Sequence, residues 1–466
     1  MINRTLDYIA RMCGGKLDGA ADGDLRVVGV SKDTRTLAAG NLYVPIVGET
    51  FDGHDFAGQA LEAGASASLW QEDRPVPAAL AGRPLVLVDD TLAALQRLAA
   101  AYRDELPVRV LGITGSNGKT TTKDLAASAL GAFFRVRKTE GNLNNHIGLP
   151  MTLLSLEEDT EIAVLEMGMS GYGEIELLSR IARPDAAIIT NIGEAHLLQL
   201  GSREGIARAK LEIASGLKPG GLLLLNGDEP LLREGIERTP LPEGAAVQWF
   251  GLESRNDWYP AEVRATASSS SFAAVSAAAE LPGAFAIPVP GRHNVSNAMA
   301  AIAAAVHFGV PVDRLREGLA SVRLTGMRIE TRTAHNGAVV LNDAYNANPT
   351  AVRAAVRLVG ELKGYRLKWL VLGDMLELGP DEEELHRATG AGIAPGEADR
   401  LVTCGRLGRF ISEGAADSFP EGACRHFDDK TELIAWLRGE VGPDDLVLVK
   451  GSRGMRMEEI VQALEN

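Results

Sequence analysis

An apolar run, Val108-Arg109-Val110-Leu111, leads straight into Gly112-Ile113-Thr114-Gly115-Ser116-Asn117-Gly118-Lys119-Thr120-Thr121-Thr122-Lys123. The pattern predicts a strand, a glycine-rich turn, and a helix that opens at Lys119 and Thr120. Backbone N–H groups at a helix N-terminus attract phosphate oxygens, and glycine lets the backbone approach them closely. Lys119 would reach the β- and γ-phosphates, and the Thr120 hydroxyl would ligate Mg²⁺. The strict phosphate-loop spacing would put glycine at Ile113; here glycine recurs every third residue, at Gly112, Gly115 and Gly118. A nucleotide-binding turn at the edge of a β-sheet is therefore the architecture this segment imposes.

A chain of 466 residues predicts about three domains by length alone. With 45% hydrophobic residues, each domain has enough apolar material for its own core. A net charge of −15 argues against a nucleic-acid partner or an anionic membrane surface. Cys13, Cys404 and Cys424 are scattered and odd in number, so they make neither a disulfide framework nor a metal site. The first residues, Met1-Ile2-Asn3-Arg4-Thr5-Leu6-Asp7, lack the apolar core of a signal peptide. No run approaches the ~18 apolar residues of a membrane span. A soluble cytoplasmic protein with no membrane insertion is expected.

Residues 1–105 hold turn-rich segments and short strands such as Asn41–Ile46, and predict an α/β module of their own. From 106 to 323, buried apolar runs (Ile162–Leu165, Ala186–Thr190, Leu222–Leu225) alternate with helical stretches, which predicts a doubly wound parallel sheet. Such sheets gather chemistry at the carboxyl ends of their strands. Residues 245–290 alternate in polarity and predict an antiparallel appendage, followed by an alanine-rich helix over 294–308. Residues 324–466 repeat the strand rhythm at Trp369–Leu372, Leu401–Thr403 and Leu446–Val449, which predicts a Rossmann-like third domain without a dinucleotide fingerprint.

Glu166 ends one of these strands, one βαβ unit after the glycine loop, where an acidic side chain can hold Mg²⁺ directly or through water. His196 follows another strand, where a lone histidine is more often a packed polar residue than a metal ligand. Lys210, in Ala207-Arg208-Ala209-Lys210-Leu211-Glu212-Ile213, reads on periodicity alone as a surface lysine. Asn294 reads as an N-cap or as a site residue.

Taken together, Gly115–Thr121, Asn142-Leu143-Asn144-Asn145-His146-Ile147-Gly148-Leu149-Pro150, Asn191–His196, Ala209–Ile213 and His293–Asn297 resemble the Mur ligase family, ATP-dependent enzymes of peptidoglycan precursor synthesis. The likeness runs in order along the whole chain. It implies α/β architecture in three domains: an N-terminal substrate domain (1–105), a central ATPase domain on a parallel sheet (106–323) and a C-terminal ligase domain (324–466). Asn342–Pro349, Leu372–Gly379 and Val449–Glu458 are similar to the branch that attaches D-alanyl-D-alanine to UDP-N-acetylmuramoyl-tripeptide. The Asp-Asn-Pro-Arg motif of the branch adding the third residue is missing.

The resemblance implies catalytic roles for Lys119, Glu166, His196 and Lys210. It assigns ATP contacts to Gly115, Ser116, Asn117, Gly118, Lys119, Thr120, Thr121, Asn294, Asn297, Arg328 and Asp343. Contacts to the UDP-substrate fall to Ser31, Asp33, Thr34, Arg35, Asn142 and Asn145, with Thr34 standing where serine is usual. Mg²⁺ would be held by Thr120, Glu166, His196 and Lys210, the last as a carbamate. A monomer is implied. Rival classes are a single-amino-acid ligase, a folylpolyglutamate synthetase, and a phosphate-loop kinase or switch, which would have no need for the two later domains or a lysine like Lys210.

Overall fold

A computed structural model describes every residue except Ala20. The phosphate loop sits where expected. Strand Arg109–Thr114 enters it and helix Lys119–Gly131 leaves it. That strand is the third of the central sheet from one edge, flanked in parallel by Ile162–Glu166 and Ala186–Ile189. Parallel pairing brings the carboxyl ends of all three strands to one side, so Gly115, Glu166 and Thr190 emerge beside one another.

Beyond Ala186–Ile189 the sheet continues through Leu222–Asn226, Ala246–Phe250, Trp258–Ala265, Ser270–Ser276 and Ala284–Ile287, making nine strands in all. The antiparallel appendage expected over 245–290 is thus corrected in two respects. Ala246–Phe250 pairs in parallel with Leu222–Asn226, and the antiparallel strands from Trp258 onward extend the same sheet. Alternating polarity there reflects a sheet covered mainly on one face, where Phe250, Trp258, Phe272 and Phe285 bury against the alanine-rich helix. That helix spans Arg292–His307 and is buried from Asn294 to Ala305. Its alanines allow close packing against Lys119–Gly131, which brings Asn294 and Asn297 next to the phosphate loop.

The N-terminal region carries a five-stranded sheet ordered Lys16–Leu17, Leu85–Val88, Ala67–Gln71, Leu42–Tyr43, Val30–Ser31. The strand expected over Asn41–Ile46 is confined to Leu42–Tyr43. Helix Thr91–Glu105 packs on Gly148–Leu154 and Glu174–Ala182, so one apolar core runs from Ile2 to Leu232 across both regions. Arg103, buried at its end, donates to the carbonyl of Ala182 at 2.7 Å. The third region holds a six-stranded sheet, parallel except for its edge strand Glu330–Thr333. Its helices cover both faces, in agreement with the Rossmann-like expectation. No described helix is long and apolar enough to cross a membrane.

Fully buried Asp445 ties the third sheet together. It accepts from Arg366 through two nitrogens at 2.8 Å, from the Trp369 indole at 2.9 Å, and from the Gly442 N–H. Burial alone would raise its pKa, and these donors more than offset that, so its pKa lies below the usual value. Asp445→Ala would leave the Trp369 and Gly442 donors without their acceptor. Calorimetry should show a loss of about 2–3 kcal/mol in the third domain, with the central domain's transition unmoved.

Candidate active site

The shape of the phosphate loop is fixed by what lies against its glycines. Gly115 has φ +146°, and a Cβ there would sit 1.8 Å from Thr190 Oγ1. Gly118 has φ +79°, and its Cβ would stand 2.8 Å from Asn297 Oδ1. Between them, the Asn117 N–H donates to Asn191 Oδ1 at 2.9 Å, and the Asn117 carbonyl accepts from Thr190 Oγ1 and Asn191 Nδ2. Lys119 Nζ donates to the carbonyls of Gly115 and Ser116 at 2.8 and 3.3 Å, which holds it over the loop. Burial lowers its pKa; nearby Glu166 opposes that shift and Arg328 adds to it.

Thr120 Oγ1 donates to Glu166 Oε2 at 2.9 Å, and Asn144 Nδ2 donates to Glu166 Oε1 at the same distance. A hydroxyl and a carboxylate therefore share the phosphate edge. No group of three His, Cys, Asp or Glu side chains among the described residues is spaced to hold a metal. An oxygen pair of this kind fits Mg²⁺, which keeps several waters and takes the rest of its ligands from substrate phosphates.

A cavity of about 500 Å³ lies over the loop. The central domain lines it with Ser116–Thr121, Asn144, Glu166, His293, Asn294 and Asn297; the third domain adds Arg328, Asp343, Tyr345, Arg357 and Lys450. Arg328 lies over the Tyr345 ring, 4.1 Å from its centroid, and its buried Nε has no hydrogen-bond partner. Asp343 is held by Lys450, whose ammonium also donates to the carbonyl of Asn346 at 2.9 Å. Asn294 is not the N-cap, which falls to Gly291. It lies in the first turn and donates to the Pro290 carbonyl.

Two of the polar contacts between the third domain and the central one lie at the start of helix Pro349–Glu361. Asn348 caps helix Pro349–Glu361 and exchanges amide hydrogen bonds with Asn117, at 2.7 and 3.2 Å. Glu194 accepts from the N–H of Thr350 and from Arg353. Gly193 makes room for this joint, since a Cβ there would lie 3.0 Å from Asn117 Nδ2 and 3.3 Å from Thr350 Cβ.

His196 and Lys210 stand beside the nucleotide cavity without lining it. Burial takes the His196 pKa from the usual 6.5 to about 4, and the charges of Lys119 and Lys210 add to that shift. The imidazole is therefore neutral near pH 7. Lys210 is 2% exposed, and its amine has no hydrogen-bond or ion-pair partner among the described residues. Burial, reinforced by Lys119, drives its pKa well below the usual lysine range. The surface-lysine reading is thereby overturned: the helix Arg203–Leu211 turns this face inward.

The residues assigned to the UDP-substrate do not enter this cavity. Ser31 Oγ and Asp33 close a tight turn with Thr34, and Arg35 folds back on Asp33 from a largely exposed position. Asn142 is exposed, and Asn145 Oδ1 accepts from the N–H groups of Ile147 and Gly148 where the helix Gly148–Leu154 begins. The asparagine of that loop that reaches the site is Asn144, a register that three asparagines in four residues leave open. Lys450, Asn348, Thr190 and Asn191 were also missed as site residues, although each stands at a strand end or helix start in a motif already conspicuous in the sequence.

A nucleotide loop closed over by a second α/β domain defines an ATP-dependent enzyme whose site is assembled from two domains. Family comparison is in accord: residues 26–103 match the Mur ligase family catalytic domain, 113–305 the Mur ligase middle domain, and 327–453 the Mur ligase glutamate ligase domain. The chain belongs to the Mur ligase family. It is 49% identical over 464 residues to the UDP-N-acetylmuramoyl-tripeptide--D-alanyl-D-alanine ligase of Bacillus subtilis, covering 100% of this chain and 99% of that protein. Its fold matches the crystal structure of MurF from Acinetobacter baumannii with TM-score 0.89 at 29% identity, over 100% of this chain and 99% of that one. It also matches the MurF ligase of Thermotoga maritima in complex with ADP, with TM-score 0.81 at 28% identity, covering 94% and 97%.

Asn348→Ser retains a cap for the helix but is too short to reach Asn117. With one or two interdomain hydrogen bonds lost at about 1 kcal/mol each, kcat should fall roughly tenfold. The radius of gyration by small-angle scattering should rise. An unchanged radius would show that the amide pair does not hold the domains together.

Proposed function

We propose that the chain joins D-alanyl-D-alanine to the terminal carboxylate of UDP-N-acetylmuramoyl-tripeptide, using ATP, to form the pentapeptide precursor of peptidoglycan. The observation that carries this reading is the cavity built from two domains, in which Lys119 and Arg328 from opposite sides face one nucleotide-sized space. A phosphate-loop kinase would have no use for the third domain's share of it. The tripeptide carboxylate is a poor electrophile, and transfer of the γ-phosphoryl group turns it into an acyl phosphate that an amine can attack. Two anions meet in the first step, so positive charge has to converge on them. Lys119 and the unpartnered Arg328 Nε supply donors there. Closure by the third domain keeps water away from the acyl phosphate.

Division of labour follows the three regions. Residues 1–105 hold the UDP moiety through the turn Ser31, Asp33, Thr34 and Arg35. Residues 106–323 hold ATP, and Asn142 and Asn145 reach toward the UDP-substrate from a loop tied to helix Thr91–Glu105 by the Gln96–His146 contact. Residues 324–466 bring the dipeptide and complete the nucleotide cavity with Arg328 and Asp343. Asn294 and Asn297, on the helix packed against the phosphate loop, would contact the nucleotide from the central domain. Mg²⁺ would be held by Thr120 and Glu166, with neutral His196 and carbamylated Lys210 nearby, and would offset phosphate charge. The use of ATP and a UDP-linked substrate makes this a cytoplasmic reaction. Phosphate release should require both UDP-tripeptide and D-alanyl-D-alanine; release driven by a single hydroxyl substrate would favour a kinase instead.

Lys210 is the residue whose chemistry departs furthest from its ordinary form. A buried amine without an anionic partner is neutral enough to add CO₂, and the product is an anionic oxygen donor of the kind Mg²⁺ prefers. Lys210→Ala should be almost inactive and partly rescued by added acetate or propionate in the steady-state assay. Lys210→Arg should not be rescued, because its guanidinium fills the space with positive charge. Near-normal turnover of Lys210→Arg would rule out the carbamate.

A further inference from the structure

The loop 374–379 of the third domain crosses the gap to the central domain and meets it at His196. His196 Nδ1 lies 3.5 Å from Glu377 Oε2. Both residues have left-handed backbones, φ 62° for His196 and 65° for Glu377. Glutamate gains nothing locally from that conformation, and such positions persist where the surroundings enforce them. Here the loop's base is pinned. Asp374 Oδ1 accepts from the N–H groups of Leu407 and Gly408, and the Met375 N–H donates to His386 Nε2 at 2.8 Å. The Leu376 N–H donates to Ser452 Oγ at 2.9 Å, and Gly379 rests against Leu198. A rigid frame thus holds one carboxylate out over the domain gap.

We propose that Glu377 is the group that receives the ammonium of the incoming dipeptide, a reading that rests on the ligase function above. The site is otherwise rich in cations and its other acidic groups are taken: Glu166 by Thr120 and Asn144, Glu194 by Thr350 and Arg353, Asp343 by Lys450. Glu377, with a side chain 65% exposed, has the His196 ring as its one ion-pair contact among the described residues. Two basic side chains on the adjoining loops are paired elsewhere, Arg453 with Glu458 and Arg406 with Glu382. An ammonium held at Glu377 lies beside His196, on the side of Lys119 and Lys210 where the acyl phosphate forms. Two exposed leucines, Leu376 and Leu198, flank the contact and offer apolar surface of the kind two alanine methyl groups bury against.

The test is a split among Michaelis constants. Loss of a charge-assisted hydrogen bond in Glu377→Gln should raise KM for D-alanyl-D-alanine roughly tenfold to a hundredfold. KM for ATP and for UDP-tripeptide should stay within about threefold of wild type, since neither carries the ammonium. Glu377→Asp should recover part of the affinity. Acyl phosphate trapped as a hydroxamate with hydroxylamine, without dipeptide, should form in Glu377→Gln as in wild type. D-Lactoyl-D-alanine, which replaces the ammonium with a hydroxyl, should inhibit both proteins with similar Ki, closing a double-mutant cycle. An unchanged dipeptide KM in Glu377→Gln, or all three constants rising together as they would for a mere domain contact, would overturn the assignment. No hydroxamate from wild type would overturn the ligase reading and the assignment with it.

Discussion

Thr190 occupies the space where Gly115 would carry a side chain, and much of the active site depends on that one contact. It forces the strand Arg109–Thr114 to turn with a backbone only glycine tolerates, and its hydroxyl then takes the Asn117 carbonyl. With that carbonyl and the Asn117 N–H engaged by Thr190 and Asn191, the loop has little freedom before any ligand arrives. The Asn117 side chain remains, and it is the side chain that meets Asn348 of the third domain. Loop shape and domain position are thereby tied through a single residue. A change in loop conformation when phosphate binds would be felt directly at the helix N-terminus of Pro349–Glu361.

Charge explains why the site needs several domains. Lys119 and Lys210 are both recessed from water; Lys119 lowers the proton affinity of Lys210, and both lower that of His196. Such a cluster is costly to bury on its own account. Anionic phosphate relieves it, and so would a carbamate on Lys210. On the third-domain side the balance is different. Asp343 neutralises Lys450, while Arg328 lies on Tyr345 and keeps a buried N–H free. Each domain alone thus carries polar groups in want of a partner, and a nucleotide phosphate between them answers both.

How much of this was legible in the sequence depended on whether a residue's role was local. Strand, turn and helix at Gly112–Lys123 follow from local patterning and came out as expected. So did the division into parallel sheets, because buried strands read as unbroken apolar runs. Residues 245–290 were misjudged because exposure at the end of a wide sheet mimics the alternation of a separate antiparallel unit. Lys210 was illegible for the opposite reason: its neighbours Arg208 and Glu212 give the helix a polar period, and only the packing of that helix turns the lysine inward. Asn144 could not be told from Asn142 and Asn145, since its selection rests on where Glu166 arrives from a strand far along the chain.

Asn348 shows what a single sequence leaves unread. As Asn-Pro before a helical stretch it signals an N-cap, and it is one. An N-cap needs only the side-chain oxygen, however, so the cap accounts for half of the residue. Its amide nitrogen is free to donate; aspartate, an equally good cap, has no donor, and the serine hydroxyl is too short to reach Asn117. The choice of asparagine thus carries information about a second contact that the local pattern does not use, and the structure supplies it as the phosphate loop 231 positions away in sequence. The same logic holds for Glu377, whose left-handed backbone serves no local turn and becomes intelligible once the domain across the gap is in view.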